Sequence, residues 1–222
     1  LQSLQTAFEQ LNAMSQTEID SATAEMARTG AKPTVEQDTL SPVSPFPMKW
    51  NHHQEARAWA AEILSGVTTF AVDGSQISPS RDLSIPIGLV QIGWFENSHS
   101  ADGEYTKDVA IEVLSPADLN GEYGIEEQEV EWRRFQGEVS QAMTFMRTHA
   151  GHLALAFIDG PLIVSFVGKY PARRQRQYIA AVENLLACSE ETQVPLVGYI
   201  DNSYATDLAT LVMRVQGYTE RP

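Results

Sequence analysis

A chain of 222 residues, 43% hydrophobic and 20% charged, carries enough apolar side chain for one substantial core and lacks the composition of a disordered protein. No apolar run approaches the ~20 residues that a membrane-spanning helix needs, and no basic-then-apolar leader opens the sequence. The formal net charge of −14 argues against a uniformly basic surface, and the lone cysteine, Cys188, forms no internal disulfide, which points to a reducing cytoplasm.

Residues 1–28 place Leu1, Leu4, Phe8 and Leu11 at helical spacing, and residues 29–48 hold four prolines among polar residues, which reads as an extended linker. "NHHQEARAWAAEILSG" predicts a second helix closed by Gly66, with His52 and His53 at its solvated start. Residues 1–66 are therefore expected to form a helical appendage and linker ahead of a domain over 67–222. That domain opens with strands, "VTTFAV", "IGLVQIGWF" (87–95) and "VAIEVL" (109–114), separated by polar loops.

A long helix is predicted over about 125–148, with Phe135, Val139, Ala142, Met143 and Met146 on its apolar face. Two more strands are predicted at "LALAFI" (153–158) and "LIVSFV" (162–167), followed by a helix over 171–191 that holds Cys188 as a small apolar filler. "PLVGYI" (195–200) predicts a last strand and "YATDLATLVMRV" a last helix. The order of these elements implies an α/β fold, a mixed sheet with helices on its faces. The sequence starts without a methionine and stops at "YTERP" just after a predicted helix, so the domain is expected to be incomplete at its C-terminus.

Three strands end in an acid: Asp73 in "FAVDGS", Asp159 in "AFIDGP" and Asp201 in "GYIDNS". Taken singly, each reads as a turn residue, because Asp-Gly and Asp-Asn favour bends. Together they suggest convergence beyond the carboxyl ends of neighbouring strands, where open α/β sheets collect ligands. Clustered carboxylates repel, and hard divalent cations neutralise them with oxygen ligands. A glycine after Asp73 and another after Asp159 would leave room for a metal or a substrate backbone.

Glu131 and Glu138, seven residues apart, share one flank of the long helix and offer a fourth carboxylate, with Arg134 on the same flank as a partner for either. Five glutamates crowd residues 122–131, whereas Lys169, Arg173, Arg174 and Arg176 crowd "KYPARRQR". That cluster and Arg134 are the candidate contacts to DNA; a solvated helix face is the other reading. No P-loop, dinucleotide fingerprint, zinc spacing or serine-nucleophile elbow is present.

"FAVDGSQI", "GLVQIG", "RRFQGEVSQAM", "FIDGPL" and "VPLVGYIDNS", in this order, resemble the NurA nuclease domain over about residues 67–215. The resemblance implies a ribonuclease H-like fold with a central mixed sheet. It implies a manganese-dependent DNA endonuclease and 5′→3′ exonuclease, with magnesium as the alternative cofactor, acting in DNA end resection. The implied partners are DNA, a HerA-type hexameric ATPase and a second copy of the chain in a homodimer. Asp73, Glu138 and Asp159 match the family's catalytic and metal-binding acids, with Glu131 in reserve for Glu138 and Asp201 as a further ligand. The family also uses a histidine far toward the C-terminus, and no histidine follows His152 here. Either the chain continues, or it is a catalytically inactive relative that binds DNA or docks the ATPase.

Overall fold

The computed structural model describes residues 17, 24, 47–80, 84–119 and 126–200. Predictions for the first helix, the linker, Asp201 and the last helix fall outside these residues. The unit Asn51–Asp201 opens with α1, His53–Leu64, whose N-cap His52 accepts a hydrogen bond from the Glu55 backbone N–H. Then come β1 (Thr68–Ile77), β2 (Gly88–Asn97), β3 (Tyr105–Leu114), the short turn α2 (Pro116–Leu119) and the long α3 (Glu126–Thr148). The rest is β4 (Ala154–Asp159), a 3-10 turn at Ser165–Lys169, α4 (Ala172–Thr192) and β5 (Leu196–Tyr199).

The five strands lie in the order β3-β2-β1-β4-β5. β1, β2 and β3 form an antiparallel meander, while β4 runs parallel to β1 and β5 parallel to β4. The fold is ribonuclease H-like, as the resemblance implies. β1 is the hinge of this topology, since it alone has one antiparallel and one parallel neighbour.

Side-chain alternation along β1 and β4 sorts residues onto two faces. Phe70, Val72, Ala154, Ala156 and Ile158 are buried on one face, where they join Val139, Ala142, Phe145 and Met146 of α3 in a single core. The alanines of β4 lie flat enough for α3 to approach, and Phe70 stacks on Phe145 with ring centroids 4.6 Å apart. The predicted stripe on the long helix is borne out, with Phe135 and Met143 packed at its margins. α4 adds Leu185 and Cys188 to the same core, and burial pushes the Cys188 thiol pKa up.

The opposite face carries Ile77, Phe95, Val109, Ile111, Val113 and Tyr199, all exposed. β3 begins at Tyr105, four residues before the predicted start, because Tyr105 stacks on Phe95 across the β2–β3 pair at 5.1 Å.

"LIVSFV" is not a strand. β4 and β5 pair directly, so no place remains between them, and the run instead feeds a second cluster. Val164, Phe166 and Val167 pack there with Trp132, Phe135, Tyr170 and Tyr178. The turn out of β4 passes through Gly160 at φ +134°, a conformation that side chains disfavour. The Gly160 N–H donates to the Tyr199 carbonyl at 2.9 Å, and a Cβ built on Gly198 would stand 2.7 Å from the Gly160 carbonyl oxygen.

That last contact sets an expected cost. Gly198→Ala should lower stability by about 1–3 kcal/mol, because a backbone atom has to move. Gly168→Ala, where a Cβ meets nothing within 4 Å, should stay within about 0.5 kcal/mol of the parent in the same urea titration.

Candidate functional site

β4 ends at Asp159 while β1 continues past it. The β1–β4 register runs Ala71↔Phe157 and Val72↔Ile158, so Asp73 and Asp159 are the next residues along two adjacent parallel strands. Parity puts both on the face away from α3, and both side chains are exposed. Parallel neighbours sit about 4.8 Å apart. Two carboxylates thus stand side by side where β4 ends, within the sheet. They share a shallow concavity of about 930 Å³ with Ser75, Lys107, Phe157 and Tyr199.

β5 extends the row. Tyr199 pairs with Asp159, so the residue level with the two acids on the third parallel strand is Tyr199, not Asp201. Asp201 is two residues further on, outside the described residues. Neither Tyr199 nor Lys107 is a candidate in the sequence reading. Alternation within "KDVAIEV" and "LVGY" is the signal that could have found them, once the register is known.

Glu138 lies behind β1. It projects from α3 onto the helix-facing side and is 6% exposed, one of few buried charged residues among those described. Its place is made by Gly74: a Cβ there would lie 2.5 Å from Glu138 Oε1 and 2.6 Å from Arg134 Cγ. The glycine after Asp73 was expected to clear a path for metal or substrate. Its clearance is instead filled by the glutamate and its arginine partner. Gly160, by contrast, faces open space, with nothing within 4 Å, and its φ of +134° also answers a backbone need.

Desolvation by burial raises the Glu138 pKa from 4.5 to about 7. The Arg134 charge opposes that rise, the Asp73 charge adds to it, and the Arg134 and Gly74 N–H hydrogen bonds oppose it. Burial therefore wins over the ion pair, although Arg134 Nη1 lies 2.5 Å from Glu138 Oε1.

The remaining predicted residues disperse. Glu131 accepts a 2.5 Å hydrogen bond from the Tyr170 hydroxyl and an ion pair from Lys169 at 3.7 Å, and so belongs to the aromatic cluster. Arg174 is 5% exposed, bonded to Glu129, and lies over the Trp132 ring at 5.4 Å. It is a packing residue here, because its position on α4 faces α3, so "KYPARRQR" is not one cationic face. Lys169, Arg173 and Arg176 are exposed. Arg134 spends its guanidinium on Glu138, Gln76 and the Gly74 carbonyl.

The donor set matches a hard divalent cation in kind: carboxylate oxygens, two of them adjacent, and a third carboxylate within electrostatic reach of Asp73. Among the described residues, no three His, Cys, Asp or Glu side chains are drawn into one cage. No helix among them is long and apolar enough to cross a membrane.

The model of the NurA domain family matches residues 67–221. Among solved structures, the chain is similar to a NurA crystal structure at 18% identity and a TM-score of 0.37, covering 87% of this chain and 38% of that one. It is also similar to a NurA structure with manganese (15% identity, TM-score 0.36, covering 96% and 46%). A third likeness is to RNase H1 from the halophilic archaeon Halobacterium salinarum (16% identity, TM-score 0.32, covering 61% and 87%). The chain thus spans less than half the length of the NurA structures it matches. No curated protein matches it.

Glu138 makes stability depend on pH. Its contribution is fully present below the ordinary carboxyl value of 4.5 and is lost as pH rises to about 7, because the unfolded chain releases a proton that the folded chain keeps. In metal-free buffer, urea unfolding of the parent relative to Glu138→Gln should lose up to about 3 kcal/mol between pH 4 and pH 8. Parallel pH profiles for the two proteins would contradict the burial of a titrating carboxyl.

Proposed function

Because the chain belongs to the NurA domain family, we propose that it is a metal-dependent DNA nuclease that hydrolyses phosphodiester bonds at the Asp73–Asp159 step. The observation that carries this reading is the register of β1 and β4, which sets two exposed carboxylates side by side where β4 ends. Manganese is the proposed cofactor, with magnesium as the alternative, held by Asp73 and Asp159 with Glu138 as the third ligand. When bound, the cation supplies Lewis acidity and a water acidic enough to attack a phosphodiester.

The chain's own groups do the rest. Asp73 and Asp159 fix the position of positive charge at the end of β4. Glu138 keeps a carboxylate in a desolvated place, where its electrostatic pull is strong. Lys107, on the open face, offers a counter-charge to a phosphate, and Lys169, Arg173 and Arg176 are the proposed outer contacts to DNA. Attack in the 5′→3′ direction, a role in end resection, a HerA-type ATPase as motor, a homodimer and a cytoplasmic setting complete the proposal.

The second reading, an inactive DNA-binding or ATPase-docking subunit, is favoured by one observation: the three acids do not meet in one cage among the described residues. A single experiment separates the two. With linear duplex DNA and manganese, the parent should cleave. Asp73→Asn and Asp159→Asn should each reduce the rate by at least about 100-fold with little change in melting temperature. Cleavage that survives either substitution rejects the site; duplex binding without any cleavage selects the second reading.

A further inference from the structure

Arg134 and Glu138 are one helical turn apart, a spacing that on an exposed helix contributes little. This pair is different. The guanidinium reaches past a buried carboxylate to the neighbouring strand. Nη1 donates to Glu138 Oε1 at 2.5 Å and to the Gly74 carbonyl at 3.4 Å, and Nε donates to Gln76 Oε1 at 3.0 Å. Gly74 and Gln76 are two residues apart on the helix-facing side of β1. The first supplies space and the second supplies an acceptor.

We propose that Arg134 is a positioning residue for Glu138, and that Gln76 is the anchor that sets its orientation. The arginine ties the helix that carries Glu138 to the strand that carries Asp73. A guanidinium presents donors on two edges of one plane, so bonding Nε to Gln76 fixes where Nη1 must point. An ammonium on a flexible stem has no such plane. With three acceptors already engaged, this arginine acts on the carboxylate and is not an open contact for DNA phosphate. The inference rests on the nuclease reading for its activity measurement alone.

The test uses Arg134→Lys, Arg134→Ala, Gln76→Ala and the Gln76→Ala/Arg134→Ala double variant of the full chain. Steady-state cleavage of linear duplex with manganese is measured, together with duplex binding over a salt series in chelator. Arg134→Lys should lower kcat by about 10- to 100-fold, the scale of an ångström of misplacement. Gln76→Ala should lower kcat by about 3- to 10-fold in the parent and add nothing in the Arg134→Ala background, as coupled residues do. KM and the salt dependence of binding should stay unchanged. A normal kcat with a raised KM and a salt slope reduced by about one would make Arg134 a phosphate contact and overturn the proposal. Independent effects of the two residues on kcat would overturn it as well.

If the parent cleaves nothing, the nuclease reading fails while this one is still decided by urea denaturation of the same proteins. A midpoint shift from Gln76→Ala in the parent that disappears in the Arg134→Ala background supports the relay. Equal shifts in both backgrounds overturn it.

Discussion

A carboxylate taken out of water must be given positive charge or a proton, and the centre of this domain is arranged around one such group. Glu138 sits behind the middle strand at 6% exposure, and everything near it answers that burial. Gly74 makes the space, Arg134 supplies the charge, and Gln76 holds the guanidinium against β1. A buried ion pair is weak support for stability, since desolvation offsets most of the Coulombic gain. The burial of Glu138 within electrostatic reach of Asp73 is the kind of arrangement that marks a candidate functional site.

The sheet supplies the other half. β4 stops at Asp159 while β1, still paired with β2, continues to Ile77, which creates a step on the β4 side. Asp73 and Asp159 occupy that step on one face, and Glu138 approaches from the other. A group that engaged all three would have to bridge the two faces of the sheet around the end of β4. The row Asp73, Asp159, Tyr199 follows from register alone.

Much of this is legible in the sequence, for physical reasons. Apolar runs bounded by Gly, Asp and Pro mark β1, β2, β4 and β5, and a 3.6-residue stripe marks α3. Asp73 and Asp159 stand out because an acid ends each apolar run, although only Asp159 ends its strand; β1 continues past Asp73 to Ile77. Other features depend on tertiary partners that no local pattern records. "LIVSFV" is as apolar as any strand here, yet the direct β4–β5 pairing leaves it no edge to join. Arg174 looks like part of a cationic helix face until α3 packs over it and brings Glu129 and Trp132. Glu131 and Glu138 share a flank, and their different fates are decided by what lies opposite, Tyr170 for one and Gly74 for the other.

The fit between Gly74 and Glu138 has an evolutionary consequence. With a carboxylate oxygen and an arginine stem where a methyl group would stand, positions 74, 134 and 138 compete for one space. A side chain gained at 74 would have to displace both the Glu138 carboxylate and the Arg134 stem, so shortening the glutamate alone does not make room. A substitution at 74 is therefore felt at 134 and 138 as well. The Asp-Gly dipeptide, so often the mark of a simple bend, is here half of a lock whose other half lies sixty-four residues away.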